Sequence, residues 1–230
     1  MFGSNVARKQ VLDDGQQLWV QEVFYTLQGE GPWTGHPSIF VRLAGCNLKC
    51  FWCDTDFESS NWLPSLDELL RRISDERPVF ADLVVVTGGE PFRQNIEPLV
   101  SRLLEQDLRV QIETSGTLWV DLPEHPGLSI VCSPKTKNLH PDIIPRIAAF
   151  KYVVGADCVD PKDGLPCAST QKRGVATKLY RPPAGASVYV MPRDDGDEER
   201  NVANRRACTT VALKFGYRLC LQTHKLLGLD

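Results

Sequence analysis

Leu83-Val84-Val85-Val86-Thr87-Gly88-Gly89-Glu90-Pro91 is the stretch that decides the fold of this chain. Leu83 to Val86 offer no polar face to water, so the run reads as a strand covered on both sides, the pattern of a parallel sheet. The glycines that follow permit positive φ and let backbone approach a neighbour with no Cβ in the way. Downstream, Ile96, Leu99, Val100, Leu103 and Leu104 recur at helical spacing and form one apolar stripe. A buried strand, a glycine turn and an amphipathic helix make one βα unit.

Working outward from that unit, the same signals repeat. Residues 18–26, 109–114, 128–133, 150–154, 187–191 and 218–222 read as further strands. Residues 38–44 alternate, with Ile39, Val41 and Leu43 on one face and Ser38, Phe40 and Arg42 on the other. Ser65 and Glu68, just after Pro64, form a capping box that opens a helix. Asp195 and Glu198 make a capping pattern for a helix reaching about Phe215, and Gly216 is placed to end it. The fold class expected is α/β, an abbreviated TIM-like barrel of parallel strands and helices. A full barrel takes about 250 residues, and this chain has 230. An open doubly wound sheet is the alternative. Residues 1–230 are read as one domain, with 1–16 a loose lead-in and 156–183 a surface loop. In either architecture, functional residues belong at the C-terminal ends of the strands.

The formal net charge of -3 argues against a broad electrostatic grip on nucleic acid or an acidic membrane. No apolar run has the length of a membrane span and the N-terminus lacks a signal-peptide layout, so a cytoplasmic protein is expected. That placement makes the eight cysteines metal ligands or free thiols rather than disulfides. Cys132, Cys158, Cys167, Cys208 and Cys220 are scattered and read as buried or idle thiols; Cys158 and Cys167 share one polar loop, where a second metal site is the alternative.

The other three lie together in Ala44-Gly45-Cys46-Asn47-Leu48-Lys49-Cys50-Phe51-Trp52-Cys53-Asp54-Thr55. A structural zinc wants a closed set of four ligands, whereas a three-thiolate set leaves a position open for a small molecule. Zinc with a fourth ligand such as His36 is one reading, and an iron–sulfur cluster with an open iron is the other. Phe51 and Trp52 favour the second, because apolar walls lower the dielectric around a redox centre.

Cys-x-x-x-Cys-x-x-Cys with an aromatic residue before the last cysteine resembles the signature of the radical S-adenosylmethionine superfamily. The resemblance implies a 4Fe-4S cluster on Cys46, Cys50 and Cys53 and S-adenosylmethionine bound at the open iron. Reductive cleavage would then yield a radical that abstracts hydrogen from substrate. Thr87-Gly88-Gly89-Glu90-Pro91 resembles the loop that holds the amino group of S-adenosylmethionine in that superfamily.

Within it, the chain resembles the 7-carboxy-7-deazaguanine synthase family over most of its length. The residues concerned are Leu27-Gln28-Gly29-Glu30-Gly31, Arg42, Cys53-Asp54-Thr55, Glu113-Thr114-Ser115-Gly116, Ser133-Pro134-Lys135 and Leu221-Gln222-Thr223-His224-Lys225. Their order and spacing carry the match. It implies a lyase that converts 6-carboxy-5,6,7,8-tetrahydropterin to 7-carboxy-7-deazaguanine with loss of ammonia, toward queuosine-type deazapurines. Leu27, Gln28, Gly29, Glu30, Arg42, Thr87 and His224 would then contact the pterin. Trp52, Cys53, Asp54, Gly89, Glu113, Ser133, Pro134 and Lys135 would line the S-adenosylmethionine site, and Thr55 would offer its hydroxyl to Mg2+. A homodimer and an electron donor such as flavodoxin or ferredoxin are implied as well. Residues 156–183 form a longer, more charged loop than a minimal member needs.

Individual residues also admit plainer roles. Arg42, on the interior face of its strand, needs an anion, and its planar fork suits a carboxylate; a protein carboxylate such as Glu90 or Glu113 would satisfy it equally. Thr55 would otherwise be a turn residue and His224 a surface histidine. A glycyl-radical-activating enzyme, acting on a protein partner, shares the cysteine and glycine loops. A zinc-stapled binding module is the non-catalytic alternative.

Overall fold

The computed structural model describes residues 5–229. One sheet holds eight strands in sequence order: β1 (Val20–Leu27), β2 (Pro37–Leu43), β3 (Leu83–Gly88), β4 (Arg109–Thr114), β5 (Leu128–Cys132), β6 (Ile147–Val154), β7 (Val188–Pro192) and β8 (Arg218–Leu219). β1 runs antiparallel to β2, and every later pair is parallel. Among the described residues β8 does not pair with β1, so this is a partial barrel. Among the described residues four α-helices accompany it: α1 (Leu66–Glu76), α2 (Glu97–Leu104), α3 (Glu198–Phe215) and α4 (Thr223–Leu227).

The alternation read in the sequence sets the two faces of β2. Ile39, Val41 and Leu43 are fully buried and share a core with Leu69 and Ile73 of α1 and Leu99 and Leu103 of α2. Phe40 and Arg42 point to the other face, into the barrel's interior cavity. The capping box of α1 is complete: Glu68 N donates to Ser65 Oγ at 3.3 Å, and Ser65 N to Glu68 Oε2 at 2.8 Å.

Several expectations are corrected. α3 is capped by Asp197, whose Oδ1 accepts from Arg200 N at 2.9 Å, whereas Asp195 is drawn into an ion pair with Arg193 at 2.7 Å. Gly216 does end α3, in the left-handed conformation with φ 73°. The last strand stops at Leu219, because the chain turns into α4 from Thr223. Strands and helices alternate only in part: no α-helix lies between β4 and β5, β5 and β6, or β6 and β7.

The N-terminal segment is no loose lead-in over its described part, residues 5–16; residues 1–4 lie outside the described ones. Arg8 N donates to Cys46 O at 2.7 Å, Val11 N to Arg93 O at 2.8 Å, and Gln10 Nε2 to Phe92 O and Trp119 O. These bonds strap it across the cysteine loop. Residues 156–183 are likewise tied down. Arg181 pairs with Asp163 at 2.7 Å, and the segment doubles back through a Val159–Pro166 bridge. That reversal brings the Cα atoms of Cys158 and Cys167 to 5.5 Å, and the two are disulfide-bonded rather than idle. Cys132, Cys208 and Cys220 are the buried thiols expected, each held above its ordinary pKa by burial.

Candidate active site

The C-terminal ends of the parallel strands open onto a cavity of about 600 Å³. Cys46, Cys50 and Cys53, on the loop after β2, all face it. Gly45, at φ 81°, makes the turn that starts this loop, and a Cβ there would lie 2.6 Å from Arg93 Nε. Burial pushes the Cys46 thiol up to about 12 and raises Cys53 as well. Thiolates are therefore costly here unless a cation holds them. Among the described residues no three ligating side chains are gathered tightly enough for a single ion, but three cysteines around one cavity suit a 4Fe-4S cluster, whose cysteine ligands sit on different irons and so stand further apart. His36 cannot complete a zinc site. It lies before β2, at the opposite end of that strand from the cysteines, with its ring between Asp82 at 3.2 Å and Arg109 at 2.6 Å.

The glycine loop after β3 is shaped by backbone packing. A Cβ on Gly88 would fall 2.0 Å from Leu43 O, and one on Gly89 2.2 Å from Gly45 O. Gly89 N donates to Leu43 O at 3.1 Å and Glu90 N to Gly45 O at 3.0 Å, so this loop is the floor on which the cysteine loop sits. Burial raises the pKa of Glu90, whose carboxyl accepts from Thr114 Oγ1 at 2.6 Å and from Ser115 N at 2.8 Å. The ends of β3 and β4 are joined there.

Arg42 reaches the cavity from the interior face of β2, with Thr87 of β3 directly beside it in register. Its protein partner is neither Glu90 nor Glu113. Glu90 is taken up by β4 and Glu113 by other groups, while the antiparallel pairing sets Glu22 of β1 opposite Arg42, and Nε donates to Glu22 Oε1 at 2.6 Å. The guanidinium also stands 5.6 Å over the Phe24 ring. Among the described residues only Nε makes a hydrogen bond, which leaves the outer fork open to the cavity.

Opposite lies a group that no sequence motif marked. Lys151, on the interior face of β6, is 5% exposed and bonds Glu30, with Glu113 at 3.4 Å. Burial lowers the ammonium's pKa, but the attraction of Glu113 and Glu30 outweighs it and the net shift is upward. Burial would raise the Glu30 carboxyl; Lys151 and Gln222 hold it below its ordinary value instead. Gln28 Nε2 donates to Glu113 at 3.0 Å, and Gln111 Nε2 at 3.1 Å. Glu113 thus sits with the Gln28–Glu30 loop. The alternation Phe150, Tyr152, Val154 on the core face is the signal that places Lys151 inside.

The C-terminal segment closes this side. His224 packs on Gly29, where a Cβ would meet Nδ1 at 2.0 Å, and burial lowers the imidazole's pKa. Lys225 Nζ joins Asp54 at 2.6 Å to Asp194 at 2.9 Å, and Gln222 Nε2 links Glu30 to Asp54 at 3.0 and 3.1 Å. Thr55 Oγ1 lies 3.4 Å from Asp54 Oδ1 at the same rim. On the other wall Lys135 Nζ bonds Ser133 O at 2.9 Å and stands 5.6 Å over Trp52, with its pKa lowered by burial.

Leu27, Gln28, Glu30, Arg42, Thr87 and His224 therefore share one cavity with the three cysteines. Trp52, Asp54, Thr55, Gly89, Glu113, Ser133 and Lys135 line it too. Two expected residues do not: Gly29 is covered by His224, and Pro134 lines an adjoining cavity of about 250 Å³. Met191, Pro192, Arg193 and Asp194, at the end of β7, also line the main cavity and belong to no motif read in the sequence.

Comparison with known proteins follows the same lines. Residues 41–125 match the radical SAM superfamily. The chain is 61% identical over 235 residues to the 7-carboxy-7-deazaguanine synthase of Rhodospirillum rubrum, covering 99% of both proteins. It is 38% identical to that of Rickettsia prowazekii, covering 100% of this chain and 96% of the other. A crystal structure of QueE from Escherichia coli superimposes with a TM-score of 0.65 at 27% identity, over 90% of this chain and 95% of that one.

Proposed function

The chain belongs to the 7-carboxy-7-deazaguanine synthase family of radical S-adenosylmethionine enzymes, and we propose how the residues of its cavity divide the work. The reaction is the conversion of 6-carboxy-5,6,7,8-tetrahydropterin to 7-carboxy-7-deazaguanine with release of ammonia, in 7-deazapurine biosynthesis. Its cofactors are a 4Fe-4S cluster and S-adenosylmethionine. When bound, they supply one-electron cleavage and a radical that takes a hydrogen atom from the substrate.

Cys46, Cys50 and Cys53 would hold the cluster, and His36, the fourth ligand that zinc would need, is bound to Asp82 and Arg109 instead. Gly89, Ser133, Lys135, Trp52 and Asp54 border the space beside it and receive S-adenosylmethionine, with Pro134 supporting that wall. The carbonyl of Gly89 is the group suited to an ammonium, since its N–H is committed to Leu43. Arg42 takes the substrate carboxylate on its free outer fork, a charge-assisted bidentate contact, with Thr87 adding a hydroxyl from the neighbouring strand.

Across the cavity, Gln28 and Glu30 meet the edge of the pterin ring, and Leu27 flanks it. Lys151 keeps Glu30 ionised, so Glu30 presents an acceptor to ring N–H groups at neutral pH. His224, neutral through burial, closes over Gly29 and excludes water from that edge. The Thr55 hydroxyl beside Asp54 gives Mg2+ an oxygen ligand at the rim, in keeping with an ion that keeps most of its waters.

The observation that carries this assignment is the pairing, in one cavity, of an Arg42 fork with no second partner among the described residues and a buried Lys151–Glu30–Glu113 group. Arg42, Glu113 and Lys151 stand on β2, β4 and β6 of one sheet and Glu30 on the loop that follows β1, which supports reading the chain as a single catalytic unit. Among the described residues no helix is long and apolar enough to cross a membrane. A cytoplasmic homodimer fed by a flavodoxin or ferredoxin completes the proposal.

The test is turnover. Anaerobic enzyme, reconstituted with iron and sulfide, is given S-adenosylmethionine, dithionite, Mg2+ and the carboxypterin, and products are followed by mass spectrometry. The deazaguanine acid is expected from wild type and is lost in Arg42→Ala while iron content is kept. Full turnover by Arg42→Ala would refute the carboxylate assignment.

A further inference from the structure

We propose that Gln171, carried by the long 156–183 segment, is a positioning residue for the cluster: it donates a hydrogen bond to the Cys50 sulfur, fixing that ligand and raising the cluster's reduction potential. The proposal rests on the assignment of Cys50 to the cluster.

The three thiols are not treated alike by their surroundings. Cys46 Sγ accepts only from the backbone N of Leu48 at 3.4 Å, and Cys53 Sγ lies 3.8 Å from Thr55 O within its own loop. Cys50 Sγ receives Gln171 Nε2 at 3.1 Å, a donor that arrives from 121 residues away. Among the described residues it is the one side-chain donor from outside the cysteine loop that reaches any of the three.

The amide's orientation is fixed by its other end. Gln171 Oε1 accepts from Lys49 N at 2.7 Å. An N–H can only be met by the oxygen of a carboxamide, so Nε2 must face the sulfur. The backbone around Gln171 is equally determined. Gln171 N and Lys172 N both donate to Ser169 Oγ, at 3.2 and 3.1 Å, which bends the chain toward the cysteines. The preceding Thr170 is buried; its O accepts from Phe51 N at 3.0 Å and its Oγ1 donates to Lys135 O at 2.9 Å. Ser169, Thr170 and Gln171 thus grip Lys49, Cys50 and Phe51 while touching the loop that carries Lys135.

A hydrogen bond to a ligating sulfur draws negative charge off the cluster. The reduced cluster carries one more electron, so it gains more from that donor than the oxidised one, and the potential rises. Gln171 then lets a donor of moderate strength charge the cluster.

The test is an EPR-monitored redox titration, with iron content measured on the same samples, of wild type, Gln171→Leu, Gln171→Glu and Gln171→Lys. Gln171→Glu keeps an acceptor for Lys49 N but turns an oxygen toward the sulfur, whereas Gln171→Lys restores an N–H donor. The expected order of midpoint potential is Lys at or above wild type, then Leu, then Glu lowest, all with wild-type iron content. Equal potentials in all four proteins would overturn the proposal. A drop in iron content with an unchanged potential in the remaining cluster would also overturn it, leaving Gln171 a strut of the loop. Wild type without iron after reconstitution would instead refute the cluster assignment itself.

Discussion

Replacing Lys151 by Met removes the one cation that separates two acidic side chains in the cavity wall. The Lys151 side chain is 6% exposed, Glu30 12% and Glu113 18%, so neither carboxylate can recover its hydration by moving outward. Removing one partner of a buried pair costs about 3–5 kcal/mol, because the surviving charge is left uncompensated. The pH dependence gives the sharper signature. In wild type Glu30 titrates below its ordinary value, so its contribution is present above pH 4.5 and is lost as pH falls through the lowered value. Lys151 titrates above its ordinary 10.5, so its contribution persists through neutral pH and is lost only in strong alkali. In Lys151→Met the cause that lowered Glu30 is gone and burial raises it, so the sign reverses. The variant is expected to be more stable at pH 5 than at pH 8, with the loss of about 3–5 kcal/mol developed fully at pH 8. Adding Glu30→Gln removes one of the stranded charges and should recover part of that loss. Anaerobic urea unfolding at the two pH values reads all of this. A loss below ~1 kcal/mol, equal at pH 5 and pH 8, is what a surface pair would give and would show that Lys151 is not a buried counter-ion to Glu30.

Further outcomes follow from the same geometry. Arg42→Lys keeps the charge beside Glu22 but loses the planar fork; KM for the carboxypterin should rise about 10–100-fold, the worth of a charge-assisted bond, with iron content unchanged. Gly89→Ala would set a Cβ 2.2 Å from Gly45 O, displacing the cysteine loop, and should cut the iron retained after reconstitution while the apoprotein stays folded by circular dichroism. His224, lowered by burial, contributes stability above pH 6.5 that is lost as pH falls through its depressed value; the hydrogen-exchange protection factors of α4, referred to the intrinsic rate at each pH, should fall at pH 5, and should do so far less in His224→Gln. Cys158→Ser opens a short closed loop that a disulfide holds with about 3 kcal/mol, so limited proteolysis should cut residues 156–183 sooner.

The parallel sheet was legible because Leu83–Val86 can only be buried on both sides, and because Val110 and Ile112 alternate with polar neighbours along β4. The cysteine loop was legible for a different reason: three thiolates so close in sequence have few uses other than a metal centre. Arg42 was found by alternation alone, although its protein partner was not, since Glu22 becomes its neighbour only through the register of β1 on β2. Lys151 was hidden in a segment that reads as an ordinary buried strand, and what makes it functional is a pair of carboxylates 121 and 38 residues away. α4 spans five residues, too few for a period to show. The Cys158–Cys167 bond ran against the expectation set by compartment, and spacing alone does not reveal that the chain reverses between them. Asp195 and Asp197 are both plausible caps by residue type; the choice was made by Arg193, a neighbour in space that claimed Asp195.

Cys46, Cys50 and Cys53 are expected to hold a cluster with one open iron at the substrate cavity. The most direct test is to reconstitute the protein anaerobically, count iron and zinc, reduce it, and record EPR spectra with and without S-adenosylmethionine. About four irons per chain are expected, with a reduced-cluster signal that changes shape when S-adenosylmethionine is added, because that molecule binds the open iron. One zinc per chain and no EPR signal after reconstitution, or an iron signal that S-adenosylmethionine leaves untouched, would contradict that expectation.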